Sequence, residues 1–484
     1  MGFRPSQQDY RSRIVRAVEL GKLDLALSDI ERIVEKVFCE PLNVCEIFAD
    51  QFLDDMCQRI GRYSMEKVQM DFLALSRPQK ILEKASGLIF IASRLQASGG
   101  HTAVLADIAR IGGVPATVLL TGVSGRTNRR AISHRFSDIP NLTFEYAPRA
   151  SRLARLAWLQ RRLLEVNPAT VWLFNHHQDS VAVAAVQPDQ GYSLKYLHHG
   201  DHHLCLGVLL GYGEHYDPHP MGYNNCRDVL SISDNKYLPM VARDLGCISK
   251  IEMKSSDLPF VSCTAAGRNK IEAPYWLSYA DAIPVMLKQT GGVHIHIGHL
   301  SANFRFRIWL NLRVAKVSTA SFVYIAHVDS VWQALKDYGV DIYISSFPYA
   351  GARTLIEVMG AGVPVAMHNH VSSRFLSILD MAPEGAFVWR DVPQLCAFLA
   401  HQSRNTLASF GVKARLHYEI FHAEPLLFKS LRDPSFIAPV PCTAVAHYID
   451  PLRRALAVAN QGSFTNVLQN YALKLARLVK SAFF

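Results

Sequence analysis

The segment DIYISSFPYAGARTLIEVMGAGVPVAMH, Asp341 to His368, decides the fold. An apolar, β-rich run ends at Ser345-Ser346, a turn passes through Pro348 and Gly351, an amphipathic helix begins at Ala352, and a second apolar run, VPVAMH, closes the unit. Strand, turn, helix and strand in this order make a βαβ unit, and such units build parallel sheets. The helix start matters most. Unsatisfied backbone N–H groups and the positive end of the helix dipole coincide there, so an anion binds naturally. Tyr349, Gly351 and Ala352 form the turn, Arg353 and Thr354 add donors suited to a diphosphate, and Glu357, one helical turn beyond Arg353, is placed to accept from ribose hydroxyls.

The same texture extends on both sides. Toward the N-terminus, β-rich runs at 87–93, 115–122, 141–148, 170–177 and 193–200 alternate with helical segments. A second series begins near 259, with runs at 293–299, 320–328, 340–351 and 363–368. The stretch between the two series, GEHYDPHPMGYNN, reads as turn-rich. Continuous apolar strands separated by helices predict an α/β fold of two Rossmann-like domains, with a cleft lying between their strand C-termini. The expected organisation is an α-helical region over 1–82, a first Rossmann-like domain over 83–255, a second over 256–395, and helices over 396–484.

The 484 residues are too many for one core, and 49% hydrophobic against 19% charged residues describes a globular chain. Nine scattered cysteines, never spaced as CxxC, exclude a disulfide framework and fit a reducing cytoplasm. No secretory signal and no run of 18 apolar residues is present. The net charge of +10 is concentrated between Arg126 and Arg162, where nine arginines face only Asp138 and Glu145. That cluster reads either as a solvated helix face or as a patch for an acidic partner, and no nucleic-acid motif accompanies it. The tail from Ser463, with Val467, Leu468, Tyr471, Leu475 and Leu478 at helical spacing beside Lys474, Arg477 and Lys480, fits either packing on its own domain or peripheral contact with an anionic membrane, at the inner surface of the cell.

Histidines crowd two strand ends. FNHHQDS carries His176 and His177, and LKYLHHGDHHLCLG carries His198, His199, Asp201, His202 and His203. A metal site built from 199, 202 and 203 is one reading, but neighbouring residues point in opposing directions and metal ligands are usually spread over several elements. The favoured reading is an acid/base or acceptor pocket without metal, in which Asp201, His202 and His199 carry the chemistry and a carboxylate-bound imidazole supplies a base at neutral pH. Gly99, Gly100, His101 and Thr102 follow the first strand as a loop whose glycines permit a tight turn.

The segment 341–368 resembles the nucleotide-sugar site of GT-B glycosyltransferases, and SSFPYAGARTLIEVMGAGVPV is most similar to O-GlcNAc transferases and bacterial adhesin N-glycosyltransferases. The resemblance covers about 85–395, and it implies that the first Rossmann-like domain is the acceptor side and the second the nucleotide-sugar domain. It implies a nucleotide-sugar donor, UDP-linked, and places Arg268, Lys270 and His327 with the donor, and the 99–102 loop, His176 and His177 toward phosphates and acceptor. Retaining members carry a glutamate in an E-G-F-G turn before the helix; here Ala350 stands in that slot, which favours an inverting enzyme. The expectation is a hexosyl- or N-acetylhexosaminyl-transferase acting on a protein or glycan acceptor, with no cofactor and no nucleic-acid partner. A nucleotide-sugar 2-epimerase and a non-catalytic sugar-nucleotide-binding protein are the alternatives.

Overall fold

The computed structural model describes residues 4–39, 47–75, 85–96, 99–248, 259–371 and 374–442, and in it the apolar runs become two all-parallel sheets. The chain divides into two compact units, the first through Leu238 and the second from Pro239. The first sheet contains β1 (Ala85–Ala92), β2 (Ala116–Leu120), β3 (Leu142–Tyr146), β4 (Pro168–Phe174), β5 (Ser193–Leu197), β6 (Glu214–Asp217) and β7 (Asn235–Tyr237), in the order β3-β2-β1-β4-β5-β6-β7. The second contains β8 (Val261–Ala265), β9 (Val293–Ile297), β10 (Phe322–Ile325), β11 (Ile342–Ile344), β12 (Val365–His368) and β13 (Phe387–Trp389), in the order β10-β9-β8-β11-β12-β13. Parallel neighbours need crossover helices, which cover both faces and explain why Phe90, Ile91, Leu173 and Phe174 are fully buried.

Both orders contain one place where adjacent strands send the chain in opposite directions. Between β1 and β4, and again between β8 and β11, the connections diverge and leave a crevice at the strand C-termini, the usual ligand position in such sheets. The fold thus selects two loop pairs: those after β1 and β4, and those after β8 and β11.

The structure departs from or adds to the sequence reading in three places. GEHYDPHPMGYNN is not a turn-rich connection: it forms β6 and the helix Pro220–Asp228. A strand reading Glu-His-Tyr-Asp lacks apolar periodicity, yet three of its four residues are buried because their polar atoms find one another. The short strands β7 and β13 were also hidden in the sequence. Last, the N-terminal helices Arg4–Glu19, Leu23–Cys39 and Gln51–Leu75 pack into the first unit. Their Ile14, Leu27, Ile30, Val34 and Ile60 share one core with Leu159, Leu173, Val181 and Val183 of the first unit.

Polar ties reinforce that union. Glu31 accepts from Arg152 Nε at 2.6 Å and from Ser180 Oγ at 2.8 Å, and burial pushes its carboxyl up to about 7 despite the pull of Arg152. Asp54 accepts from the backbone N–H groups of Gly207 (2.7 Å) and Leu209 (3.0 Å). The arginine cluster is partly consumed in the same way: Arg162 pairs with Glu145, Arg155 donates to the carbonyls of Ala150 and Thr121, and Arg129 lies 4.1 Å over the Tyr146 ring. In the second unit the helices Arg404–Phe421 and Glu424–Arg432 follow the sheet. The amphipathic tail from Ser463 lies outside the described residues. Among the described residues no helix is long and apolar enough to cross a membrane.

Candidate active site

In the second unit, the loops after β8 and β11 meet because those strands are neighbours. Lys270, on the short helix Arg268–Ile271, donates from Nζ to the Ala350 carbonyl at 2.6 Å, and its own carbonyl accepts from the Tyr349 N–H at 3.3 Å. Burial pushes the Lys270 ammonium down to about 8, so it is still mostly charged at neutral pH. Next to it begins the helix Ala352–Gly360. Its N-cap is Gly351, which brings no side chain to satisfy the first N–H groups. A cation therefore stands beside an uncapped helix start, as a diphosphate would require.

Other expected donor residues distribute unevenly. Arg353 and Thr354 lie half-buried in the first turn of that helix, and Arg353 Nε is 3.7 Å from Glu357 Oε1. Glu357 also accepts from the Trp332 backbone N–H at 3.2 Å, which commits part of its carboxylate to the start of the helix Val331–Asp337. Arg268 is exposed and loosely paired with Glu272 at 3.9 Å. His327 is exposed 3.8 Å from Asp329, just past β10, the edge strand two places from β8. The structure thus unites Lys270 with Tyr349, Gly351 and Ala352 and leaves His327 apart from them. Two aromatic residues escaped the sequence reading: His370 stacks on Tyr349 (6.0 Å) and on Tyr275 (4.7 Å), and the Tyr275 hydroxyl meets His368 Nε2 at 2.8 Å. Burial, aided by His368, pushes His370 down to about 3 and keeps its ring neutral.

In the first unit, the loops after β1 and β4 bring His101 and His176 together, with ring centroids 4.9 Å apart. The helix Gly100–Gly112 starts after Gly99, again without a side-chain cap. Thr102 Oγ1 accepts from the Gln96 N–H at 3.0 Å and so closes the loop on itself. Burial pushes His101 down to about 4 and His176 well below its ordinary range, the latter helped by His101 and His177.

The segment after β5 sends successive side chains to different destinations. His198 turns into the interior toward His215, Asp217 and Cys226. The His199 ring lies tilted over His101, with centroids 4.6 Å apart, and burial holds it neutral. Asp201 accepts from His219 Nδ1 at 2.8 Å and faces His202 Nδ1 at 3.5 Å. His203 packs against His177 (4.5 Å), whose Nε2 lies 3.6 Å from Glu35. Burial alone would raise the Asp201 carboxyl, but His219 and then His202 outweigh it and hold it well below the usual carboxylate range. Asp201 is therefore held as an anion between two imidazoles. Of the two imidazoles, His219 is buried and His202 keeps 38% of its side chain exposed. His219 was invisible in the sequence because its segment read as a turn.

No protein-family model matches the chain, and no curated protein sequence matches it. Solved structures do. A glycosyltransferase from Rickettsia africae superposes with a TM-score of 0.53 at 11% identity, covering 72% of this chain and 97% of that one. HepE from Anabaena, in complex with UDP and glucose, superposes with a TM-score of 0.54 at 11% identity, covering 72% of this chain and 99% of its own. An O-GlcNAc transferase from Thermobaculum terrenum is also among the matches, at a TM-score of 0.47 and 12% identity, covering 93% of this chain and 81% of that one. The chain has the α/β fold of the GT-B glycosyltransferases: two Rossmann-like units, each with its own parallel sheet.

Proposed function

We propose that the protein is an inverting glycosyltransferase that moves a hexosyl or N-acetylhexosaminyl group from a UDP-linked donor to a protein or glycan hydroxyl or amide. The observation that carries this reading is Lys270 beside the uncapped helix start at Gly351-Ala352, at the switch point of the second sheet. HepE, with which the chain shares its fold, is known in complex with UDP-glucose, which supports a uridine diphosphate over other leaving groups.

In this reading the departing diphosphate is stabilised by Lys270, Arg353 and the first N–H groups of the helix, because they face charge that grows as the glycosidic bond breaks. His202 takes the acceptor proton at Nε2. Asp201 orients it through Nδ1 and stabilises the imidazolium, while His219 fixes the Asp201 carboxylate. Ala350, standing where retaining enzymes carry glutamate, agrees with single displacement.

The test is turnover of a UDP-sugar panel with and without acceptor. Sugar transfer that falls about 10²–10⁴-fold in His202→Ala and Asp201→Asn, with UDP binding unchanged by calorimetry, is the expected outcome. Interconversion of the donor in the absence of acceptor would instead identify an epimerase. Binding that raises the melting temperature without any turnover would identify a sugar-nucleotide-binding protein. Wild-type transfer rates in both variants would remove this pair from the chemistry.

A further inference from the structure

We propose that the first unit holds a structural zinc ion, bound by His198, His215, Asp217 and Cys226. Four side chains from three elements converge: His198 just after β5, His215 and Asp217 on β6, and Cys226 on the helix Pro220–Asp228. All four are buried, and their ligand atoms lie within 4.8 Å of one another. His198 Nδ1 is 3.0 Å from Asp217 Oδ1 and 3.4 Å from Cys226 Sγ. His215 Nε2 is 3.4 Å from Asp217 Oδ2 and 3.5 Å from Cys226 Sγ, and Sγ is 3.5 Å from Oδ1.

The three distances from Cys226 Sγ, 3.4–3.5 Å, match those across a tetrahedral shell, while the four ligand atoms as a set lie within 4.8 Å, a spread that a bound ion would draw in. With zinc–nitrogen bonds of about 2.0–2.1 Å and a zinc–sulfur bond of about 2.3 Å, neighbouring ligand atoms sit about 3.3–3.6 Å apart. Hydrogen bonding alone accounts for the cluster less well. A thiol donates one proton, yet Cys226 Sγ faces two imidazole nitrogens and a carboxylate oxygen at nearly equal distances. Charge gives the same answer. A thiolate and a carboxylate together neutralise a divalent cation, so the loaded cluster is buried without net charge. Asn235 Nδ2 donates to Asp217 Oδ2 at 3.1 Å and to the Tyr223 carbonyl at 2.9 Å, the outer hydrogen bonding that orients a ligating carboxylate.

Four protein ligands in a closed, buried shell leave no open position for substrate, so the ion is structural. Its consequence is local. It clamps β5, β6 and the helix Pro220–Asp228, and His219, which fixes Asp201, stands between the ligands Asp217 and Cys226 in the chain. The ligands differ from His199, His202 and His203, the residues that the sequence alone suggested for a metal.

The experiment uses the full chain expressed in zinc-supplemented medium and purified without chelator. Metal analysis should find about one zinc per chain, retained in His202→Ala as a control. Chelation followed by cobalt(II) should give the intense visible bands of tetrahedral cobalt together with a thiolate-to-cobalt charge-transfer band. Cys226→Ser, checked for folding by circular dichroism, should lose that charge-transfer band; if it does not fold, the wild-type spectrum still decides. Zinc below about a tenth of an equivalent in wild type, or cobalt binding with only weak octahedral bands, overturns the proposal.

Discussion

At the scale of single residues, Lys270 is, in the proposed function, the group whose state sets donor binding. Its ammonium is pushed down to about 8 because it is buried, with the Ala350 carbonyl as its hydrogen-bond acceptor. A lysine with a lowered pKa is charged below that value and neutral above it. The terminal phosphate of UDP completes its ionisation near pH 6, so between about pH 7 and 9 only the lysine changes. UDP affinity is therefore expected to fall as pH rises through about 8, and Lys270→Met should weaken binding at pH 7 and flatten the profile. Calorimetric titration across that range checks it; a wild-type profile that does not change would take Lys270 out of the phosphate site. Asp201 shows the limit of reading residues one at a time. Its position among histidines was plain in the sequence, but its pairing with His219, eighteen residues away, on which its proposed role depends, was not.

At the scale of elements, the helix Pro220–Asp228 must approach the 198–203 segment closely for that pairing to exist. Gly222 is the point of approach: a Cβ there would stand 2.6 Å from Asp201 Oδ2 and 2.7 Å from Asp201 Cβ. Gly222→Ala is expected to displace the carboxylate and lower transfer by about a hundredfold, since misplacement by about 1 Å has that effect, while UDP binding on the second unit stays unchanged. Paired measurements of turnover and UDP affinity check this. The sequence revealed the motif of 341–368 because strand, turn and helix there carry strong periodicity and turn signals. It concealed β6 and the following helix because His215, Asp217, His219 and Cys226 are polar or small residues whose burial is satisfied only in three dimensions. Three of the proposed zinc ligands, and the histidine that pairs with Asp201, thus lay where apolar patterning is silent.

At the scale of the whole molecule, fold class and the two-sheet plan followed from the alternation of apolar runs with helices, and the structure agrees. What composition could not indicate was that the N-terminal helices complete the first unit. Asp54, on the helix Gln51–Leu75, holds the backbone of Gly207 and Leu209 in the connection between β5 and β6. Asp54→Ala leaves the buried Gly207 donor and the part-buried Leu209 donor unpaired and is expected to lower unfolding stability by about 2–5 kcal/mol, measurable by urea denaturation. Burial pushes the Asp54 carboxyl up to about 7 in the folded state, above its ordinary value. A raised carboxyl favours the folded state most at low pH and loses that contribution as pH rises from about 4 through 7, so the difference between wild type and Asp54→Ala should shrink over that window.

The connection from β5 to β6 also says where this chain tolerates a change of length. At Gly200 a Cβ would already meet His203, Cys205 and His177 at 3.1–3.3 Å, whereas at Gly211 it would meet nothing within 4 Å. One extra residue near Gly200 would hand every following histidine its neighbour's place. A short peptide tag inserted at Gly211 should leave melting temperature and transfer unchanged, which would make the rear of a crowded loop the natural handle for labelling the protein.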